Sequence, residues 1–301
     1  MAEEKLDKRR YLEPAVIARL DNMALRARLV VEGFIIGLHR SPYHGFSIEF
    51  AEHRPYMPGD EIKHIDWKLY GKTDRFYIKE FEEETNLKSY IILDKSGSMG
   101  YQSTAVSKLA YGSYLAAALG YLLLKQQDAV SLTLFDTEVT TYLPPVAKKS
   151  HLNLVLGALE KVTAGSETSI APLLHSAAEK IKKRGLIILI SDLLDDPSSV
   201  INALKHFRHR RHEVIVFQVL DPQEIEFGFN RQTKFVDLEN RDVLLTEPGQ
   251  VRLAYRQAIN NFIEDYKIQC RANNIDHVLL TTDRPLDLAL TEYLNKRARI
   301  G

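Results

Sequence analysis

The stretch Tyr90-Ile91-Ile92-Leu93-Asp94-Lys95-Ser96-Gly97-Ser98 decides the fold class and supplies the first candidate site. Its four apolar residues predict a strand that is buried on both faces, as in a parallel sheet. A carboxylate and two hydroxyls follow at once in the spacing Asp-x-Ser-x-Ser, which places three hard oxygen ligands on one turn. Oxygen ligands of this kind suit a small divalent cation such as Mg²⁺.

Strand-like and helix-like segments alternate on the C-terminal side of this stretch. Further strands are predicted at Ala129–Phe135, Leu186–Ile190, Val214–Leu220 and His277–Thr281, with an antiparallel return at Glu138–Leu143 that Pro144-Pro145 ends. Helices are predicted at Ser103–Lys125, His151–Leu159, Ala171–Lys183, Ser198–Arg208, Gln250–Ala272 and Leu286–Lys296. This alternation is typical of an α/β fold with a doubly wound, mostly parallel sheet.

The N-terminal part of the chain does not share this rhythm. Pro14–Ile36 has helical periodicity, and short alternating pieces follow at Gly45–Phe50 and Arg75–Glu82. We therefore predict an irregular α+β segment at 1–86 and one large domain at 87–301, with an insertion near 221–249.

Composition narrows the classes of function. The chain has 301 residues, 45% of them hydrophobic, and 40 basic residues balance 40 acidic ones, so no net field favours nucleic acid or anionic lipid. The single Cys270 cannot form an internal disulfide, and the charged N-terminus lacks the apolar core of a signal peptide. The longest apolar stretch, Leu115–Leu124, is half a membrane span. We expect a cytoplasmic protein that binds neither nucleic acid nor membrane.

Two more loops should bring oxygen ligands to the same place. In open parallel sheets, ligands bind beyond the carboxyl ends of the strands at a topological switch point. Asp192 directly follows the predicted strand Leu186–Ile190 and Ser191, and Thr168 lies in a polar loop before a helix. Ser166 and Ser169 are rival hydroxyls in that loop. The sequence therefore predicts one cation site formed by Asp94, Ser96, Ser98, Thr168 and Asp192.

This set of five residues resembles the metal-ion-dependent adhesion site of von Willebrand factor A domains, in the expected order and on the expected elements. Other pieces, from about Leu38 to Arg297, resemble a bacterial family catalogued as domain of unknown function fifty-eight and associated with MoxR-type AAA+ ATPases. They are Glu49-Phe50, Arg54-x-Tyr56-x-x-Gly59-Asp60, Ile65-Asp66-Trp67, Asp221-Pro222, Phe235-x-Asp237-Leu238-Glu239 and Thr282-Asp283.

The resemblance implies a metal-bridged protein contact. In such domains Mg²⁺ (or Mn²⁺ or Ca²⁺) keeps one coordination position open, and an acidic side chain of the partner completes the shell. It also implies that the partner is a MoxR-type AAA+ ATPase and that the pair has a chaperone-like role. We expect a noncatalytic protein.

Two alternatives use the same ion. In the first, the protein is a metal-dependent hydrolase, a phosphatase or nuclease, with the cation as Lewis acid. However, no Gly-x-Ser-x-Gly elbow surrounds Ser96 or Ser98, and Ser96 stands where aspartate-based phosphatases carry a second aspartate. Gly71-Lys72-Thr73 resembles the end of a phosphate-binding loop, but Asp66 occupies the position of the first glycine. In the second alternative, the ion only stabilises the fold.

Overall fold

The structure, a computed structural model, describes residues 13–38, 53–55, 67–73, 75–79, 87–165, 170–238 and 242–300. The chain divides into two compact units. The larger unit comprises Met1–Gly37 and Leu87–Gly301, and the smaller comprises Leu38–Asn86. The division of the sequence at residue 86, with an insertion near 221–249, stays a prediction.

Two helices begin the larger unit where the sequence predicts one. Helix α1 is Pro14–Ile17 and helix α2 is Met23–Leu38. The single-helix prediction is wrong because Asn22 caps α2: its side-chain oxygen accepts a hydrogen bond from the backbone N–H of Leu25 at 2.9 Å. The guanidinium of Arg26 donates to the carbonyl oxygens of Ala18 and Leu20, so the carbonyls at the break are satisfied.

The smaller unit has short elements. Strand β1 (His53–Pro55) precedes helix α3 (Trp67–Thr73) and pairs antiparallel with strand β2 (Tyr77–Lys79). The rings of Tyr70 and Phe76 stack with centroids 4.4 Å apart. Most of the N-terminal signature lies outside the described residues, namely Glu49, Phe50, Tyr56, Gly59, Asp60, Ile65 and Asp66.

Strands and helices alternate through the rest of the larger unit. In chain order they are β3 (Lys88–Asp94), a 3₁₀ turn (Ser98–Gly100), α4 (Lys108–Lys125), β4 (Ala129–Phe135), β5 (Val139–Val146), α5 (His151–Glu160), α6 (Ile170–Lys180), β6 (Leu186–Ser191), α7 (Pro197–His209), β7 (Glu213–Leu220), α8 (Pro222–Glu226), β8 (Thr233–Val236), β9 (Val243–Thr246), α9 (Pro248–Ala272), β10 (Asp276–Thr281) and α10 (Asp287–Ile300). None of the helices in the described ranges is both long and apolar enough to cross a membrane.

Six of these strands form one sheet in the order β10-β7-β6-β3-β4-β5. All neighbours are parallel except β5, which runs antiparallel to β4 at one edge. From β3 the chain first adds β4 and β5 on one side, and then crosses to add β6, β7 and β10 on the other. The predicted α/β fold with a doubly wound, mostly parallel sheet is confirmed, and its switch point lies between β3 and β6.

The helices pack in two groups: α4 contacts α5, while α6 and α9 both contact α7. The central strands are buried along almost their whole length, as their aliphatic sequences predict. Helix α4 lies close to the sheet because it carries small residues. A Cβ at Gly112 would lie 3.0 Å from Leu93 Cδ1 of β3 and 3.2 Å from Ile190 Cγ2 of β6.

Several element boundaries differ from the predictions, and the structure shows the cause for two of them. Helix α4 begins at Lys108 and not at Ser103, because the hydroxyl of Ser107 caps it by accepting a hydrogen bond from the N–H of Ala110. Strand β5 continues past Pro144-Pro145, where the sequence analysis ended it. The prolines are tolerated because β5 is an edge strand and its register shifts there.

Candidate metal centre

The loop after β3 holds the first three predicted ligands. The Asp94 carboxylate is fully buried, and its Oδ1 accepts a hydrogen bond from the backbone N–H of Ser96 at 2.8 Å. This bond curls the chain back over the strand end. As a result, the hydroxyl oxygens of Ser96 and Ser98 lie 3.0 Å apart, with Ser96 buried. The structure therefore brings the Asp-x-Ser-x-Ser residues together on one turn, as predicted.

The loop after β6 brings the second carboxylate beside the first. The hydroxyl of Ser191 donates to Asp94 Oδ2 at 2.6 Å, so the ends of the two neighbouring strands are joined directly before the buried Asp192. The next residue, Leu193, has a φ of 60°, a left-handed conformation that is uncommon for a bulky side chain. Its N–H bonds the Ser191 hydroxyl and its carbonyl accepts from Tyr266, so this turn is firmly held.

The two carboxylates interact through their charges. Burial, with the negative charge of Asp192 added to it, raises the pKa of Asp94 to about 7, although hydrogen bonds from Ser191 and Ser96 oppose the shift. Two buried carboxylates at one place are costly to ionise together. A cation between them would relieve that cost, which is the electrostatic property expected of a metal centre.

Asp192 has a cationic neighbour that the sequence analysis missed. The ammonium of Lys108, at the start of α4, donates to Asp192 Oδ2 at 2.7 Å and to Glu224 Oε1 at 2.6 Å. Lys108 is fully buried. Burial by itself lowers the pKa of Lys108, but the two carboxylates more than reverse this effect and raise it. The lysine is therefore held in its charged form.

A further hydrogen-bond network joins Glu224 to the same edge of the sheet. Asp221 and Glu224 form a capping box at the start of α8, in which Glu224 Oε2 accepts from the N–H of Asp221 at 2.8 Å. The buried Asp221 carboxylate also accepts from the backbone N–H and the hydroxyl of Ser103, in the loop after β3, and from Thr282 after β10. The ends of β3, β7 and β10 are thereby tied together.

On the other side of β3, the loop toward Thr168 is held by an ion pair. The ammonium of Lys95 forms an ion pair with Asp136, which follows β4. The backbone carbonyl oxygen of Lys95 accepts a hydrogen bond from the N–H of Gly165 at 2.6 Å. A Cβ at Gly165 would overlap the Asp136 carboxylate, so a larger residue there requires the Lys95–Asp136 ion pair to shift. The predicted ligand Thr168 and its rivals Ser166 and Ser169 lie outside the described residues.

The residues at this edge fit a divalent cation of the Mg²⁺ type. The hydroxyls of Ser96 and Ser98 are hydrogen-bonded to each other at 3.0 Å, next to the Asp94 carboxylate, and hydroxyl and carboxylate oxygens are ligands that Mg²⁺ prefers. All the donors are hard oxygens. In the part of the chain that the structure describes, no group of three or more histidine, cysteine, aspartate or glutamate side chains could hold a metal ion. The predicted set is of another kind, because it contains two carboxylates and otherwise hydroxyls.

Comparison with known proteins places the chain in a family. Residues 52–263 match the family described as "Protein of unknown function DUF58". The chain belongs to the DUF58 family. The resemblance noted in the sequence is thus confirmed, over a shorter stretch than the residues 38–297 that its motifs span.

The chain is similar to an uncharacterized protein and to several solved structures. The chain is 24% identical over 219 residues to "Uncharacterized protein Rv1480" of Mycobacterium tuberculosis, covering 71% of this chain and 68% of that protein. Among solved structures it is similar to the conserved hypothetical protein BatB from Bacteroides thetaiotaomicron, with 18% identity, a TM-score of 0.47, and 71% of this chain and 99% of that chain covered. The SpRpn10 VWA domain gives 9% identity, a TM-score of 0.38, and coverage of 69% and 95%.

Lys108 and Glu224 of this DUF58 chain each have a recognisable signal in the sequence. Lys108 is the first residue of α4, whose only other charged residue is Lys125 at the far end, and the helix dipole disfavours a cation at the N-terminus. Such a lysine needs carboxylates around it. Glu224 stands three residues after Asp221, which is the spacing of a capping box. Neither signal identifies the other residue as its partner.

Proposed function

We propose that this DUF58 protein is a noncatalytic adaptor that binds another protein through a divalent cation. The cation is Mg²⁺, or Mn²⁺ or Ca²⁺ in its place, held by Asp94, Ser96, Ser98, Thr168 and Asp192. Bound there, it would supply a Lewis-acidic position for an acidic side chain of the partner.

One observation carries this proposal. Asp94, Ser96 and Asp192 are completely buried at the switch point of the sheet, beside the half-buried Ser98. Polar groups are normally buried only when something satisfies them. Hydrogen bonds fix each carboxylate, and a divalent cation beside them would offset the repulsion between the Asp94 and Asp192 charges. This arrangement supports binding of an ion better than it supports a purely structural role.

The partner is proposed to be a MoxR-type AAA+ ATPase, with the pair acting in chaperone-like maturation or remodelling of a third protein. The family resemblance supports this part of the proposal. The site supports a protein partner with an acidic side chain but does not identify that partner. A cation next to two carboxylates stays electrophilic toward a further Glu or Asp. The cytoplasmic location expected from composition belongs to the same proposal.

Asp94→Asn tests the metal site, because it removes one charge and keeps the shape of the side chain. We expect Mg²⁺ affinity, measured by titration calorimetry, to fall by at least about 100-fold, since even outer-shell changes cost about 10–100-fold. Asp265→Ala, on the exposed face of α9, is the control and should leave affinity unchanged. Equal affinity in wild type and Asp94→Asn would contradict the site.

The same variant tests the partner. Affinity capture from native cytosol should recover an AAA+ ATPase with wild type in Mg²⁺, and neither with wild type in EDTA nor with Asp94→Asn in Mg²⁺. Equal recovery in all three samples would remove the metal from the contact. Turnover of p-nitrophenyl phosphate by wild type, lost in Asp94→Asn, would favour the hydrolase alternative instead.

A further inference from the structure

Lys108 lies between two carboxylates, and the charges of the three groups do not cancel. Its Nζ is 2.7 Å from Asp192 Oδ2 and 2.6 Å from Glu224 Oε1, and neither Lys108 nor Asp192 is exposed. With each group ionised, one positive and two negative charges leave one negative charge in all. Without Glu224, Lys108 and Asp192 would form a neutral pair.

We infer that Glu224 is a positioning residue of the metal site: by pairing with Lys108 it preserves the negative charge of Asp192 for the cation. This inference rests on the proposed function, because it concerns the same site. Glu224 is not a ligand in the predicted set. It acts on the ion through Lys108, and through the total charge that the ion meets.

Both oxygens of the Glu224 carboxylate accept hydrogen bonds, which fix the side chain in this role. Oε1 accepts from Lys108, and Oε2 accepts from the backbone N–H of Asp221 at 2.8 Å within the capping box. The carboxylate is therefore fixed relative to α8 and cannot turn toward Asp192. Asp192 is fixed as well, because Oδ2 accepts from Lys108 and Oδ1 accepts from the N–H of Leu194 at 3.2 Å.

Because these groups are buried, their net charge affects a cation that does not touch all of them. Charges in a protein interior interact over several ångströms with much less screening than in water. A glutamate that touches Lys108 should therefore influence a cation at Asp192 although the two do not touch. A conformational role of Glu224 alone, through the capping box, predicts instead that Glu224→Gln leaves metal affinity unchanged, because glutamine at this position also completes a capping box.

Three variants separate these cases by setting the charge of the group. Glu224→Gln makes the group neutral, Lys108→Gln leaves two negative charges, and the double variant Lys108→Gln/Glu224→Gln restores the single negative charge of wild type. Glu226→Gln is the matched control, because it removes a carboxylate two residues away on the exposed side of the same short helix.

The experiment is calorimetric titration of the full chain with MgCl₂ at low ionic strength and about pH 8. We expect Glu224→Gln to bind Mg²⁺ about tenfold more weakly than wild type, and Lys108→Gln about tenfold more tightly. The double variant should return to within about threefold of wild type, and Glu226→Gln should equal it. Circular dichroism of each metal-free variant confirms that it is folded.

The outcomes distinguish this inference from the proposed function. If wild type binds no Mg²⁺, both fail. If wild type binds it and Asp94→Asn does not, but Glu224→Gln equals wild type, only the present inference fails. A double variant weaker than Glu224→Gln would also overturn it, because the damage would then be structural and not a matter of charge. Should Glu224→Gln not fold by itself, Lys108→Gln and the double variant decide: Mg²⁺ binding about tenfold weaker in the double variant than in Lys108→Gln supports the inference, and equal binding overturns it.

Discussion

The edge of the sheet that carries the candidate site and the β8–β9 hairpin are opposites in polarity. At the sheet edge, charged residues are inside: Asp94, Lys108 and Asp192 are all fully buried. On the hairpin, apolar residues are outside, with Leu244 63% exposed and Leu245 62% exposed. Both arrangements depart from the rule that apolar side chains are buried and charged ones exposed. Such departures mark regions whose role is not simply to form the core.

The two regions are also stabilised in different ways. The hairpin is anchored by rings, because Phe227 stacks on Tyr255 of α9 at 4.4 Å and on Phe235 of β8 at 5.4 Å between centroids. Aromatic packing tolerates changes on the other side of the strands. The sheet edge is held by directional bonds between charged groups, each of which needs its partner. The comparison teaches that substitutions should be costly at the edge and harmless on the exposed side of the hairpin.

Among substitutions at the sheet edge, Lys108→Ala should lower the free energy of unfolding most. The change leaves the Asp192 and Glu224 carboxylates buried without their counter-ion, which costs about 3–5 kcal/mol of the free energy of unfolding. Urea unfolding of wild type and variant measures this cost. Lys125→Ala, at the exposed end of the same helix, is the control. A loss of only about 1 kcal/mol, as for a surface ion pair, would show that the edge is less dependent on charge than its burial implies.

Gly165→Ala tests how tightly the side chains at the sheet edge are packed. The added methyl group would overlap Asp136 and approach Lys95 Nζ to 3.0 Å, so their ion pair must shift. We expect a loss of about 1–3 kcal/mol in stability, the usual cost of overpacking.

Gly157→Ala is the matched control for this substitution. A Cβ at Gly157, within α5, meets nothing within 4 Å, and alanine favours a helix by about 0.5–1 kcal/mol. The two Gly→Ala variants should therefore change the midpoint of thermal unfolding in opposite directions. Shifts of the same sign would contradict the tight contact at Gly165.

Leu245→Thr, on the face of the hairpin opposite the Phe235 ring, should have the smallest effect. The side chain is mostly exposed and threonine suits a strand, so we expect the free energy of unfolding to change by no more than about 0.5 kcal/mol. Phe227→Ala, in the aromatic anchor of the same hairpin, should cost about 3–5 kcal/mol. If Leu245→Thr destabilised the protein as much as Phe227→Ala, the exposed side of the hairpin would be part of a packed core.

Much of the fold could be predicted because periodicity is local. The aliphatic runs of β3, β6 and β7 indicated buried parallel strands, and the structure has them. Element ends were less predictable. Helix α4 begins five residues later than predicted because Ser107 caps it, while Ser103, the predicted start, instead bonds Asp221, 118 residues away. No local pattern contains a contact of that kind.

The candidate site also has features that the sequence predicts and features that depend on distant contacts. The residue types and the spacing Asp94-x-Ser96-x-Ser98 are local, and a strand followed by a carboxylate places Asp192 at the same edge once the sheet is parallel. These features follow from the chain alone, because side-chain chemistry and strand direction need no knowledge of distant contacts. The pairing of Lys108 with Asp192 and Glu224 spans 84 and 116 residues. Only the tertiary structure decides it, because a buried lysine takes as partners whichever carboxylates the packing of α4 against the strand ends brings within reach.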